Sequence, residues 1–127
     1  MKDLILTASA TSPFIHFKWS GRLEVSGKMI SDEHSTFWDE MSDWVELYKN
    51  NMPSHTDICF QIDYLNSSSL KQLHAFLLVL SEMRSESNEM QLTWFYNDAD
   101  IYMKEIGLEL SKRCGISFIM DQVKEYV

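Results

Sequence analysis

The sequence predicts an α/β domain in which an opening β-hairpin is followed by alternating strands and helices, giving one mixed sheet with three helices. Three observations carry that prediction. Ile58, Phe60, Ile62 and Tyr64 alternate with Asp57, Cys59, Gln61 and Asp63, the period of two that marks a strand with one apolar face. Leu70, Leu73, Phe76, Leu77, Leu80 and Met83 follow at helical spacing, with Leu78 and Val79 widening the stripe. Strand and helix patterns then keep alternating in the order β-β-α-β-α-β-α-β. Strand-helix-strand units of this kind require parallel pairing with right-handed crossovers.

Residues 1–13 mix small and polar types up to Pro13 and are expected to form a loosely held, flexible lead-in to a domain running over 14–127. Residues 14–19 and 22–27 flank Ser20-Gly21, a hairpin on a short glycine-containing turn. Ser31, Asp32, Ser35 and Thr36 offer N-caps for a helix reaching about residue 49, on which Phe37, Met41, Trp44, Val45 and Tyr48 make a continuous stripe. Pro53 ends it, because proline cannot continue a helix and biases Met52 to extended backbone. The central strand and second helix come next, joined by Asn66-Ser67-Ser68-Ser69. Residues 91–96 are β-branched and aromatic, as in a strand. Asn97-Asp98-Ala99-Asp100 then caps a third helix bearing Ile101, Ile106, Leu108 and Leu110, which Gly115 stops. Residues 116–120 read as a last short strand before a charged tail. No repeat, linker or low-complexity run interrupts this order.

The 127 residues are 45% hydrophobic and 13% aromatic, which is globular rather than disordered, and large enough for one core. A net charge of −8 opposes binding to nucleic acid or to anionic membrane, since both repel an acidic surface. No apolar run approaches the ~20 residues that span a bilayer. Leu4-Ile5-Leu6 is too short for a signal peptide, so a cytoplasmic protein is expected. Cys59 and Cys114 fit two reduced thiols in that compartment better than one disulfide, although spacing alone leaves the disulfide open.

Most catalytic and metal chemistry finds no foothold. Ser68-Ser69-Leu70-Lys71 matches the S-x-x-K pattern of penicillin-recognising enzymes, but the chain is far too short for them and lacks their other elements. His16, His34, His55 and His74 are scattered and form no ligand pair with zinc spacing. Asp98 and Asp100 could hold a divalent ion at a strand end, and helix capping accounts for them as well. No metal or cofactor is expected. The serine corner is different. Its short side chains can cap the helix start, but Ser67, Ser68 and Ser69 supply more hydroxyls than one cap needs. An anion there meets free amides and the positive end of the helix dipole. A phosphoryl group would add about −1.5 to −2 charge, tolerable within the chain but repelled by an acidic or apolar partner.

The stretch Tyr64-Leu65-Asn66-Ser67-Ser68-Ser69-Leu70-Lys71, preceded by the alternating strand, resembles the signature of the SiaC-type regulatory phosphoproteins. Residues 21–27 resemble that family's opening hairpin, Trp44-Val45-Glu46 its first helix, and residues 92–96 its aromatic strand before an acidic turn. Together these cover roughly residues 14 to 120 in order. The family in turn resembles STAS domains, the anti-anti-sigma-factor fold. The resemblance implies a non-enzymatic switch. Its unphosphorylated form would bind and activate a diguanylate cyclase, raising cyclic di-GMP and favouring biofilm. A GHKL-type Ser/Thr kinase would phosphorylate it and a PP2C-type phosphatase would reset it. The phosphoacceptor follows the asparagine and maps to Ser67, where the family usually has threonine; Ser68 is the alternate. A second departure is Asn97, where the family usually has aspartate. On this reading Asn66 shapes the turn, Ser68 and Ser69 assist Ser67 as hydrogen-bond partners, and Asn66, Ser67, Ser68 and Ser69, with Lys71 and His74 on the helix rim, belong to the partner surface. An anti-anti-sigma-type partner switch has the same sequence features. A small enzyme with a serine nucleophile would need a nearby base, for which His74 is the one sequence neighbour.

Overall fold

The computed structural model describes residues 2–124; Met1 and residues 125–127, with the end of the expected domain and its charged tail, lie outside the described residues. The elements are β1 (Leu4–Leu6), β2 (Phe14–Lys18), β3 (Arg22–Met29), α1 (Phe37–Tyr48), β4 (His55–Leu65), α2 (Ser67–Glu82), β5 (Glu89–Asn97), α3 (Ile101–Cys114) and β6 (Phe118–Val123). The six strands lie side by side in chain order. Pairing is antiparallel from β1 to β3 and parallel from β3 to β6, so the sheet is mixed. Because each parallel crossover is right-handed and the strands advance in one direction, α1, α2 and α3 all lie on the same face. The result is two layers, with the core between them.

The buried face of the sheet carries Ile15, Phe17, Leu23, Val25, Ile58, Phe60, Ile62, Leu92 and Trp94. Two aromatic groups lock helices onto it. Trp44 of α1 stacks on Tyr48, with centroids 4.8 Å apart, and packs on Phe17 at 5.3 Å and Trp19 at 5.0 Å. Tyr48 Oη lies 2.6 Å from Thr56 Oγ1, which satisfies both buried hydroxyls. Trp94 of β5 sits between Phe60 and Phe118 and donates from Nε1 to the Met103 carbonyl of α3 at 3.1 Å. Gly107 makes that contact possible, because a Cβ there would meet the Trp94 ring at 2.5 Å.

Several expectations are corrected. The lead-in is not wholly loose: Leu4–Leu6 pairs with β2, and the Lys2 carbonyl accepts from the indole N–H of both Trp19 and Trp44. Three residues are too few for a readable period, so only the neighbouring strand reveals this one. Tyr64 is not on the apolar face. The β3–β4 register steps from Gly27↔Ile62 to Lys28↔Tyr64, so Asp63 is the extra residue of a bulge. Parity reverses there: Tyr64 turns out to 53% exposure and Leu65 turns in. On α2, Leu78 and Val79 lie outside the buried stripe. On α3, Ile101 and Leu108 face out, and the packed side is Met103, Ile106, Gly107, Leu110 and Cys114. The approach of Trp94 to Gly107 sets that side. The last strand starts two residues later than the pattern implies, since Ser111 Oγ donates to the Ile116 carbonyl and accepts from Phe118 N before pairing begins. Gly115, at φ 79°, ends α3 as expected. Both cysteines are free thiols.

Candidate functional site

The bulge in β4 delivers the chain to the corner. With Leu65 anchored in the core, Asn66 takes extended backbone at φ −88°, ψ 173° and caps α2, its Oδ1 accepting from Ser69 N at 2.9 Å. Its Nδ2 donates to the Ser31 carbonyl at 2.9 Å, and its own amide donates to the Met29 carbonyl at 3.1 Å. Asn66 therefore joins three segments: the end of β3, the loop after it and the start of α2. Ser67, Ser68 and Ser69 are already helical, in the first turn, rather than residues of a loop.

The three hydroxyls have different fates. Ser69 Oγ is fully buried, 2.6 Å from Ser31 Oγ, and accepts from Ser31 N at 3.0 Å. Its expected place on a partner surface is corrected: it ties α2 to the loop after β3. Ser68 is exposed, and Gln72 Nε2 donates to its Oγ at 3.4 Å and to Ser31 Oγ at the same distance. Ser67 is exposed, and its Oγ makes no hydrogen bond among the described residues. It is the first helical residue, so its amide and that of Ser68 have no carbonyl one turn back to bond.

Beyond the corner, α2 and α3 pack side by side and leave a groove of about 230 Å³. Leu70, Ile106 and Leu110 line it together with Lys71, His74, Glu109 and Arg113. Lys71 is exposed; His74 is half-buried, with Nε2 sealed from solvent and without a hydrogen-bond partner among the described residues. Arg113 Nε donates to Glu109 Oε1 at 2.7 Å, and that bond holds the Glu109 carboxyl below its ordinary range. Sequence reasoning placed Lys71 and His74 on this rim but missed α3, because nothing in the local pattern says which helices touch. It also offered Ser31 among the caps for α1, whose N-cap is Thr36, the last of the four candidates, with no side-chain cap bond.

The other chemistry weighed from sequence resolves locally. Asp100 Oδ1 caps α3 by accepting from Met103 N at 3.0 Å, and Asn97 Oδ1 accepts from Ala99 N at 2.9 Å, so the acidic turn is a capping turn. No group of three metal-ligand side chains occurs among the described residues. Among the described residues, neither His74 nor any other base bonds a serine hydroxyl of the corner, which is the contact a nucleophilic serine requires. No helix among the described residues is long and apolar enough to cross a membrane.

Solved relatives share this architecture. Apo-SiaC from Pseudomonas aeruginosa superposes with a TM-score of 0.84 at 26% identity, over 95% of this chain and 99% of that one. A chain of the diguanylate cyclase SiaD in complex with its activator SiaC, from the same organism, matches with a TM-score of 0.83 at 24% identity, over 95% and 100%. An uncharacterized Pseudomonas aeruginosa protein is 25% identical over 119 residues, 93% of this chain and 94% of its own length. The model of the SiaC family of regulatory phosphoproteins matches residues 6–123, nearly the whole described chain. By its residues, its fold and that match, the chain belongs to the SiaC family of regulatory phosphoproteins and is a regulator, not an enzyme.

Proposed function

We propose that this protein is a phosphorylation-controlled switch acting on a diguanylate cyclase in the cytoplasm. Unphosphorylated, it binds the cyclase and activates it, raising cyclic di-GMP and favouring biofilm. A GHKL-type Ser/Thr kinase transfers the γ-phosphoryl group of ATP to Ser67 Oγ, releasing ADP and the hydroxyl proton. A PP2C-type phosphatase returns Ser67 by hydrolysis, with inorganic phosphate as the product. What supports the cyclase as target is the family relationship to SiaC, the activator of SiaD in the related complex.

The observation that carries the choice of Ser67 is its exposed, unengaged hydroxyl at the first residue of α2. Ser69 is buried and Ser68 is held by Gln72, so only Ser67 can enter a kinase active site without breaking a bond. Once modified, its phosphate oxygens lie beside free first-turn amides and the positive end of the dipole, which favours the dianion. The fold need not change for a docking partner to be repelled.

Peptide mapping of the protein from its native cells, with and without phosphatase, tests this. One phosphate on Ser67 is expected, absent in Ser67→Ala and retained in Ser68→Ala. Unmodified Ser67→Ala should activate the cyclase constitutively, and Ser67→Asp should bind it weakly. A peptide never modified under growth or stress removes the switch and leaves a constitutive binding domain.

A further inference from the structure

Resting on the reading of Ser67 as phosphoacceptor, we infer that the α2–α3 groove receives an acidic segment of the partner bearing an apolar side chain, and that phosphate on Ser67 shuts the groove by capturing Lys71. The floor is apolar, built from Leu70, Ile106 and Leu110. The rim is cationic, with Lys71 and Arg113, and the one carboxylate present, Glu109, is already bonded to Arg113. In a chain of net charge −8 such a rim is a local reversal of sign. An apolar side chain fills the floor while a neighbouring carboxylate meets Lys71 and the free N–H groups of Arg113.

Lys71 is also the residue that a phosphate on Ser67 would reach. The two are four residues apart on α2 and both are exposed, which places their Cβ atoms about 5–6 Å apart on one helix face. An anion N-terminal to a cation is the favoured order of such a pair. Lys71 makes no ion pair among the described residues, so it is free for either the partner or the phosphate. Modification thus adds a repelling charge at the groove mouth and removes the cation that held the partner's carboxylate.

The test uses the full chain with phosphoserine inserted at 67 by codon reassignment, independent of any kinase. Titrated by phosphorus NMR, the second phosphate pKa should lie about 0.2–0.4 pH units lower in the wild type than in Lys71→Met. Equal values overturn the capture of Lys71. In parallel, affinity of the unphosphorylated chain for a diguanylate cyclase of the same organism is measured. Lys71→Glu and Arg113→Glu should each weaken binding about tenfold or more, while Lys28→Glu, the same charge change on β3, has little effect. Losses equal to that of Lys28→Glu, or no loss, overturn the docking groove. Arg113→Met, which sets no acid beside Glu109, together with thermal melts, separates lost contact from lost fold. If the unphosphorylated wild type does not bind the cyclase, the switch reading fails and the docking groove with it, while the titration still decides the role of Lys71.

Discussion

The Asn66 side-chain amide bonds in both directions, accepting from Ser69 N and donating to the Ser31 carbonyl, whereas the Ser67 hydroxyl beside it makes no hydrogen bond among the described residues. That contrast separates stability from signalling at single-residue resolution. Asn66→Ala removes a helix cap and should cost about 1 kcal/mol, and up to about 2, in urea unfolding. Ser69→Ala strands the buried Ser31 N–H and leaves the Ser31 hydroxyl only its long contact with Gln72, and should cost about 1–3 kcal/mol. Ser67→Ala should stay within about 0.5 kcal/mol of the wild type, since no contact is lost. Ser67→Asp should stabilise slightly, by about 0.3–1 kcal/mol at low ionic strength, through the helix dipole. The residue types of the corner were legible in the sequence. Which hydroxyl is free was not, because the partner of Ser69 lies 38 residues away.

Elements meet at points where a small side chain or a titrating pair sets the geometry. Gly107→Ala adds a methyl where the Trp94 ring lies, and overpacking of about 1–3 kcal/mol should exceed the gain of about 0.8–1 kcal/mol in helix propensity. A lowered urea midpoint and altered tryptophan fluorescence would show it. At the start of β4, His55 Nε2 lies 2.8 Å from Asp57 Oδ1, and its Nδ1 lies 3.5 Å from Glu89 Oε2 of β5. The bond to Asp57, with smaller help from Glu89, raises the imidazole pKa. A raised histidine pKa means the folded state binds the proton more tightly. Its contribution is therefore complete below the unfolded value of about 6.5 and is lost as pH rises through the folded one. Urea midpoints taken at pH about 5.5 and 8.5 should fall more in the wild type than in His55→Gln. Every element except β1 could be read from sequence; the faces of α3 and of Tyr64 could not. A neighbour decides those, Trp94 in one case and the register step against β3 in the other.

The whole molecule is a one-sided sheet, with three helices over one face and Phe14, His16, Glu24, Cys59, Thr93 and Phe95 half-exposed on the other. Its first strand is short but it closes the aromatic end of the core, because the Lys2 carbonyl takes the indole protons of Trp19 and Trp44. Deleting residues 2–6 should therefore lower stability by about 2 kcal/mol or more, two hydrogen bonds and the cover of the β2 edge being lost together. The same denaturation, followed by tryptophan fluorescence, would report a loosened Trp44 cluster; unchanged stability would return residues 1–13 to a loose lead-in. The sequence by itself determined the succession of strands and helices from β2 onward, the parallel half of the sheet and the polar corner between β4 and α2. Those follow from periodicity, capping types and crossover handedness, which act within a few residues or one connection. Only the tertiary structure decided the pairing of β1, the reversal at Asp63, the burial of Ser69 against Ser31 and the groove between α2 and α3. Each of these depends on which distant segment arrives alongside, and a local pattern carries no record of that.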